Sequence, residues 1–187
     1  ILDNLGFICD MVPVTKAEKK FRGKSYLIAD SFLEFWFRFI NRHRSSIELG
    51  QTEQLLSSLQ GEINSFIGRK FEKVCRQFLQ DHPLFAFSRI GKEWGKIPAG
   101  ESGKDTYEID LCAVNEKNKE ILWGECKWQS QVDALAILRE LRKKGTYVQW
   151  QNQQRKEYYV LFAKSFRHKK IDEENVFLFD LNDMERK

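Results

Sequence analysis

Three charged side chains stand where a buried pair of β-strands is expected. Asp110 interrupts the apolar run Tyr107-Glu108-Ile109-Asp110-Leu111-Cys112-Ala113-Val114, and Glu125 and Lys127 interrupt Ile121-Leu122-Trp123-Gly124-Glu125-Cys126-Lys127-Trp128. Positions two apart on a strand share a face, so Glu125 and Lys127 point together while Cys126 points away. Burying a carboxylate costs roughly several kcal/mol unless a cation or hydrogen bonds compensate. Two carboxylates and an ammonium on one sheet face form a cage suited to a hard divalent cation such as magnesium, with the lysine beside it. The alternative is a Glu125–Lys127 ion pair on a solvated face, which requires no metal.

The elements that must position these groups can be read around them. The polar run 115–120 joins the two apolar runs as a hairpin. Ile63 to Leu79 has helical spacing, with Ile63, Phe66, Ile67, Phe71, Val74 and Phe78 as its core stripe. Glu72 flanks that stripe, where it can reach a neighbouring sheet or pair with Arg76 one turn on. Leu84 to Ile90 reads as a short strand followed by a loop over 91–96 and a turn to Asp105. Within that turn, Gly100-Glu101-Ser102-Gly103-Lys104-Asp105 lacks the first glycine and the Ser/Thr of a phosphate-binding loop and has no apolar helix after it. Gln131 to Lys144 reads as an amphipathic helix with Ala134, Ile137, Leu138 and Leu141 inward and Arg139, Arg142, Lys143 and Lys144 toward its C-terminal end. Glu157 to Ala163 is the nearly continuous apolar run of a strand covered on both faces, and Val176 to Leu181 is a last strand.

Upstream, residues 1–5 read as the end of a helix stopped by Gly6. Phe7 to Val14 and Ser25 to Ile28 read as strands joined by a basic loop with Lys16, Lys19, Lys20, Arg22 and Lys24. This order resembles the end of a winged-helix domain, whose loop would place Lys19, Lys20 and Arg22 against a DNA backbone. A soluble hairpin tip is the plain alternative. Asp30 is an N-cap for a helix over 31–41 that is apolar nearly all round, as expected for one buried between two bodies or used for self-association into a homo-oligomer. Ser45 to Gln60 is polar and reads as a connector with a short helix near 53–59. The expected organisation is thus 1–30 as the C-terminal part of a winged-helix domain, 31–61 as linking helix and connector, and 62–187 as the main domain.

The 187 residues, 42% hydrophobic with 15 Phe and 5 Trp, suffice for one packed core and exclude a disordered chain. The net charge of +4 is unevenly spread. Between Gln131 and Lys170 ten Lys/Arg face three acids, whereas from Ile171 onward six acids face two bases. The basic third fits a polyanion such as DNA, or a solvated basic helix. Cys9, Cys75, Cys112 and Cys126 are too dispersed for a zinc site and fit reduced thiols in a cytoplasmic protein. No apolar run is long enough to span a membrane. The start at Ile1 reads as part of a longer polypeptide.

Helix with Glu72, strand, strand with Asp110, strand with Glu125-x-Lys127, basic helix, strand: this order resembles the PD-(D/E)XK restriction-endonuclease-like superfamily over about Glu62 to Leu181. The whole chain more closely resembles the C-terminal module, of uncharacterised function, of archaeal-type P-loop ATPases. Tyr26-Leu27-Ile28-Ala29-Asp30 before Phe35-Trp36-Phe37-Arg38-Phe39, the 91–94 turn, Glu108-Ile109-Asp110-Leu111 and Gly124-Glu125-Cys126-Lys127-Trp128 carry that likeness. It implies an α/β fold with a restriction-endonuclease-like mixed central sheet flanked by helices, preceded by the tail of a winged helix. It further implies Asp110 and Glu125 as metal carboxylates, Glu72 as the helix glutamate completing the shell, and Lys127 as the residue that orients the water and steadies phosphate charge. Phosphodiester hydrolysis dependent on Mg2+ or Mn2+ would follow, with Arg139, Arg142 and Lys143 as further DNA contacts and an absent ATPase domain as partner. A catalytically inactive module that binds nucleic acid or protein and regulates the ATPase is the competing expectation.

Overall fold

A computed structural model describes residues 6–16, 25–97 and 105–185. The basic-loop candidates Lys19, Lys20 and Arg22, and most of the Gly100–Asp105 turn, lie outside these residues. Strands β1 (Ile8–Met11) and β2 (Ser25–Ile28) pair antiparallel as a small separate sheet. A helical run follows: α1 (Ser31–Phe35), a π-helical turn (Trp36–Ile40), a 3-10 turn (Asn41–His43) and α2 (Arg44–Glu48). The 30-residue helix α3 (Thr52–Asp81) leads into β3 (Arg89–Lys96), β4 (Thr106–Asn115) and β5 (Glu120–Lys127). Helix α4 (Ala134–Thr146), β6 (Lys156–Ala163), β7 (Val176–Phe179) and α5 (Leu181–Glu185) complete the order.

The five later strands form one mixed sheet in the order β3-β4-β5-β6-β7, antiparallel across the first three and parallel thereafter. Alternation along β5 divides its side chains between two cores. Ile121 and Trp123 meet Leu138 and Leu141 of α4, whereas Leu122 and Cys126 meet Phe71, Cys75, Phe78 and Leu79 of α3. The sheet is therefore covered by α4 on one face and α3 on the other. Burial of both faces is why β5 and β6 read as continuous apolar runs.

Three elements differ from their expected form. The connector read over 45–60 is largely helical, because Leu55, Leu59 and Ile63 extend the stripe of Phe66 and close a third cluster with Phe39. Helix α3 therefore runs without a break through position 61, where a domain boundary was expected. The apolar helix over 31–41 is not enclosed: Phe39 is buried, but Phe32, Trp36 and Phe37 are exposed. Finally, the strand expected over 84–90 lies instead at Arg89–Lys96. Its glycines are points of close packing and not a loop: a Cβ at Gly95 would stand 2.8 Å from the Tyr107 hydroxyl, and one at Gly91 3.1 Å from Val14.

The N-terminal hairpin is fastened to the sheet through β3. The Val14 N–H donates to the Lys92 carbonyl (3.1 Å), and Arg89 Nη1 donates to the Lys16 carbonyl (3.1 Å). Between them the fully buried Glu93 accepts from Thr15 N–H (2.9 Å) and Thr15 Oγ1 (3.0 Å). Glu34 of α1 ties the helical run to α3 through ion pairs with Arg69 (3.7 Å) and Lys70.

Candidate functional site

The site lies where the central hairpin divides. The β4–β5 ladder runs from Asn115↔Glu120 to Leu111↔Gly124. Beyond that pair β4 continues only against β3, and β5 only against β6, so residues 125–127 pair with 161–163. A β-bulge sets the fork. Gly91 pairs with Cys112 and Glu93 with Ile109, so Asp110 and Leu111 together oppose Lys92 alone. Side-chain alternation slips by one there: Tyr107 and Ile109 belong with Cys112 and Val114 on the α4 face. The bulge turns Asp110 out of the ladder into the fork, where its Oδ2 accepts the Cys126 N–H at 2.9 Å.

Glu125 has a side chain only 8% exposed, and two ammonium groups hold it: Lys127 Nζ at 2.6 Å from Oε1 and Lys144 Nζ, from the end of α4, at 2.8 Å from Oε2. Burial, then the nearby Glu125 carboxylate, pushes the Asp110 carboxyl up to about 6, against the pull of the Cys126 N–H; Glu72 pushes the same way and Lys127 opposes it. Burial pulls the Lys127 ammonium down, but Glu125 and Asp110 outweigh it and hold the group above its ordinary value. The charges of Glu125, Lys127 and Glu72 thus all act on Asp110 at the fork.

Glu72 takes a different place from the expected one. It reaches the sheet from α3, but its Oε2 pairs with Lys92 Nζ at 2.6 Å, and Lys92 also binds Glu108 at 2.8 Å. Among the described residues, no three His, Cys, Asp or Glu side chains stand together so as to hold a metal ion. Of the expected shell of Glu72, Asp110 and Glu125, the structure places Asp110 and Glu125 at the fork and Glu72 on Lys92. Lysines have drawn Glu72 away and cover Glu125. Asp110 and Glu125 remain fitting donors for a hard cation in kind: a half-buried and a buried carboxylate that repel each other, the first already shifted upward, are relieved by added positive charge.

The other candidates separate. Lys143 lines the cleft of about 1340 Å³ that opens over Asp110. Arg142 does not; it pairs with Glu173 and lies over the Tyr159 ring. Arg139 is exposed on α4. Lys92, Lys144 and Glu93 were missed by the sequence reading. Lys144 follows the buried Leu141 by three residues, which puts it on the core side of α4, and that spacing was the available signal.

A mixed five-stranded sheet between helices, with an acidic fork at its divided hairpin, defines an α/β module with a candidate functional site there. Residues 36–144 match the family described as archaeal and bacterial proteins of unknown function (DUF234), and the chain belongs to that family. It is also similar to an uncharacterised protein of Methanocaldococcus jannaschii, 32% identical over 184 residues. That match covers 95% of this chain and 38% of the relative, so the chain spans about two fifths of the length of that protein. No solved structure matches the chain. No helix among the described residues is long and apolar enough to cross a membrane.

Proposed function

We propose that this chain is a restriction-endonuclease-like module of a larger archaeal-type ATPase and hydrolyses phosphodiester bonds in DNA with Mg2+ or Mn2+. The observation that carries the reading is the fork itself: Asp110, Glu125 and Lys127 arrive from two strands that part at Leu111↔Gly124. Element order supports it as well, since a helix, three antiparallel strands, a helix and a parallel strand resemble that superfamily. The match to 38% of the relative's length fits a module within a larger protein.

Asp110 and Glu125 would hold the cation, which when bound supplies a Lewis acid and a water of lowered pKa. Lys127, ion-paired to Glu125 but 36% exposed, can turn its ammonium to a phosphate oxygen and offset charge developing there. Lys144, which holds Glu125 Oε2 at 2.8 Å, would have to give up that oxygen for Glu125 to hold the cation. Glu72 positions Lys92 and does not ligate.

Incubation of the purified chain with labelled branched and linear DNA plus Mn2+ tests the proposal. Cleavage that disappears in both Asp110→Asn and Glu125→Gln supports it, and cleavage surviving equally in both variants would refute it. A specific observation favours a second reading, a non-catalytic binding module: three partly buried lysines, Lys92, Lys127 and Lys144, already neutralise Glu72 and Glu125. Absence of cleavage together with retained DNA binding selects that reading.

A further inference from the structure

The cleft over Asp110 is larger than a small-molecule pocket, at about 1340 Å³ against the usual 300–1,000 Å³ or so. Three walls bound it. Hairpin β1–β2 supplies Cys9–Met11 and Tyr26–Ala29, α3 supplies a basic face, and α4 supplies Lys143 and Lys144. On α3, Arg69, Lys73 and Arg76 fall at i, i+4 and i+7, hence on one face. At 1.5 Å per residue the row spans about 10 Å, roughly the rise of three nucleotides in one strand. Among the described residues Lys73, Arg76 and Lys143 take part in no ion pair, whereas Arg69 meets Glu34. Two aromatic side chains line the same space, Trp94 on β3 and Tyr26 on the hairpin, the latter 64% exposed.

We propose that this cleft is a groove for one unpaired strand of nucleic acid, with the phosphates along Arg69, Lys73 and Arg76 and a base stacked on Tyr26. A cationic track beside aromatic faces is how unpaired strands are held without regard to sequence. In a duplex the bases are already stacked inside, so the Tyr26 ring finds nothing to bind. The hairpin wall is fixed to the sheet through Thr15 and Glu93, so the groove does not widen cheaply to admit a second strand. The space holds roughly three or four nucleotides, each the size of a small ligand. That this strand is the substrate rests on the phosphodiester reading of the fork; that it binds is measurable separately.

Fluorescence anisotropy in EDTA, on the full chain, with a labelled 12-mer of deoxythymidine and a duplex of equal length, tests the groove. The single strand is expected to bind at least tenfold more tightly than the duplex. Lys73→Glu with Arg76→Glu should weaken it at least tenfold and lower the slope of log K against log salt by about 1.4, two phosphate contacts' worth. Lys143→Glu, from the opposite wall, should weaken it about threefold or more, and Tyr26→Ala about fivefold. Lys117→Glu, at the far turn of the central hairpin, should leave it unchanged. Equal or tighter duplex binding, or losses no larger than that of Lys117→Glu, overturn the groove. Metal-dependent cleavage without strand preference also overturns the groove and leaves the nuclease reading intact. Strand-selective binding without cleavage supports the groove while removing the nuclease reading.

Discussion

At the scale of single residues, the account turns on Asp110. Its carboxyl is raised to about 6 from near 3.8, so the folded chain holds a proton that the unfolded chain has released. Between about pH 4 and pH 6 the native state therefore binds more protons, and stability falls as pH rises through that window. Asp110→Asn keeps an oxygen to accept the Cys126 N–H and removes the repulsion from Glu125 and Glu72. The variant should unfold in urea at higher concentration than the parent at pH 7.5, by about 1–3 kcal/mol, with the gain shrinking near pH 4. An unchanged or lowered midpoint at pH 7.5 would show that the carboxylate is not strained in the fold. Glu125 behaves oppositely, because Lys127 and Lys144 both depend on it. Glu125→Ala leaves two partly buried ammonium groups without their partner and should cost about 2–4 kcal/mol by the same measurement.

At the scale of elements, the fork depends on how closely β5 passes its neighbours. A Cβ on Gly124 would stand 2.7 Å from Leu111 Cβ and 3.0 Å from Val160 Cγ1. Gly124→Ala should therefore destabilise by roughly 1–3 kcal/mol in denaturant and part the strands one residue earlier. The far end of α4 is fixed by Arg155, whose guanidinium bonds the carbonyls of Gly145 (3.0 Å), Val148 (2.8 Å) and Trp150 (3.1 Å), pairs with Glu157 and lies over Trp123. Arg155 thus serves structure. Arg155→Leu should lower stability by about 2–4 kcal/mol and loosen amide-exchange protection over 143–148. Much of this level was legible in the residues: period-two alternation and apolar runs located the central hairpin, and the stripe from Ile63 to Phe78 located α3. The bulge was not legible, since Asp110 and Leu111 look like ordinary alternation until pairing with β3 shows two residues facing one. Nor was β3, whose glycines signal a loop unless the ring they accommodate is known. The spacing leaves Glu72 open between the sheet and Arg76; it meets Lys92 of β3, a strand expected several residues earlier, so that partner was not legible.

At the scale of the molecule, one buried carboxylate is among the groups that fasten the hairpin to the body. Glu93 is kept above its ordinary value by burial, against the bonds from Thr15. Glu93→Ala should free the Thr15 attachment, speed amide exchange over 8–15 and 25–28 by tenfold or more, and leave exchange in β4 and β5 nearly unchanged. Equal acceleration throughout would mean that hairpin and sheet unfold as one unit. Phe32 of α1 and Trp36 and Phe37 of the π-helical turn are exposed apolar side chains on the run that follows that hairpin. Everything claimed for the fork requires that a cation can displace Lys144 from Glu125 and settle between two carboxylates. Calorimetric titration of the intact chain with Mn2+ at pH 7.5 measures this directly. The account predicts saturable binding at a site that both Asp110→Asn and Glu125→Gln abolish and that Glu72→Gln retains; binding that is absent, or that survives both of the first two substitutions, would contradict it.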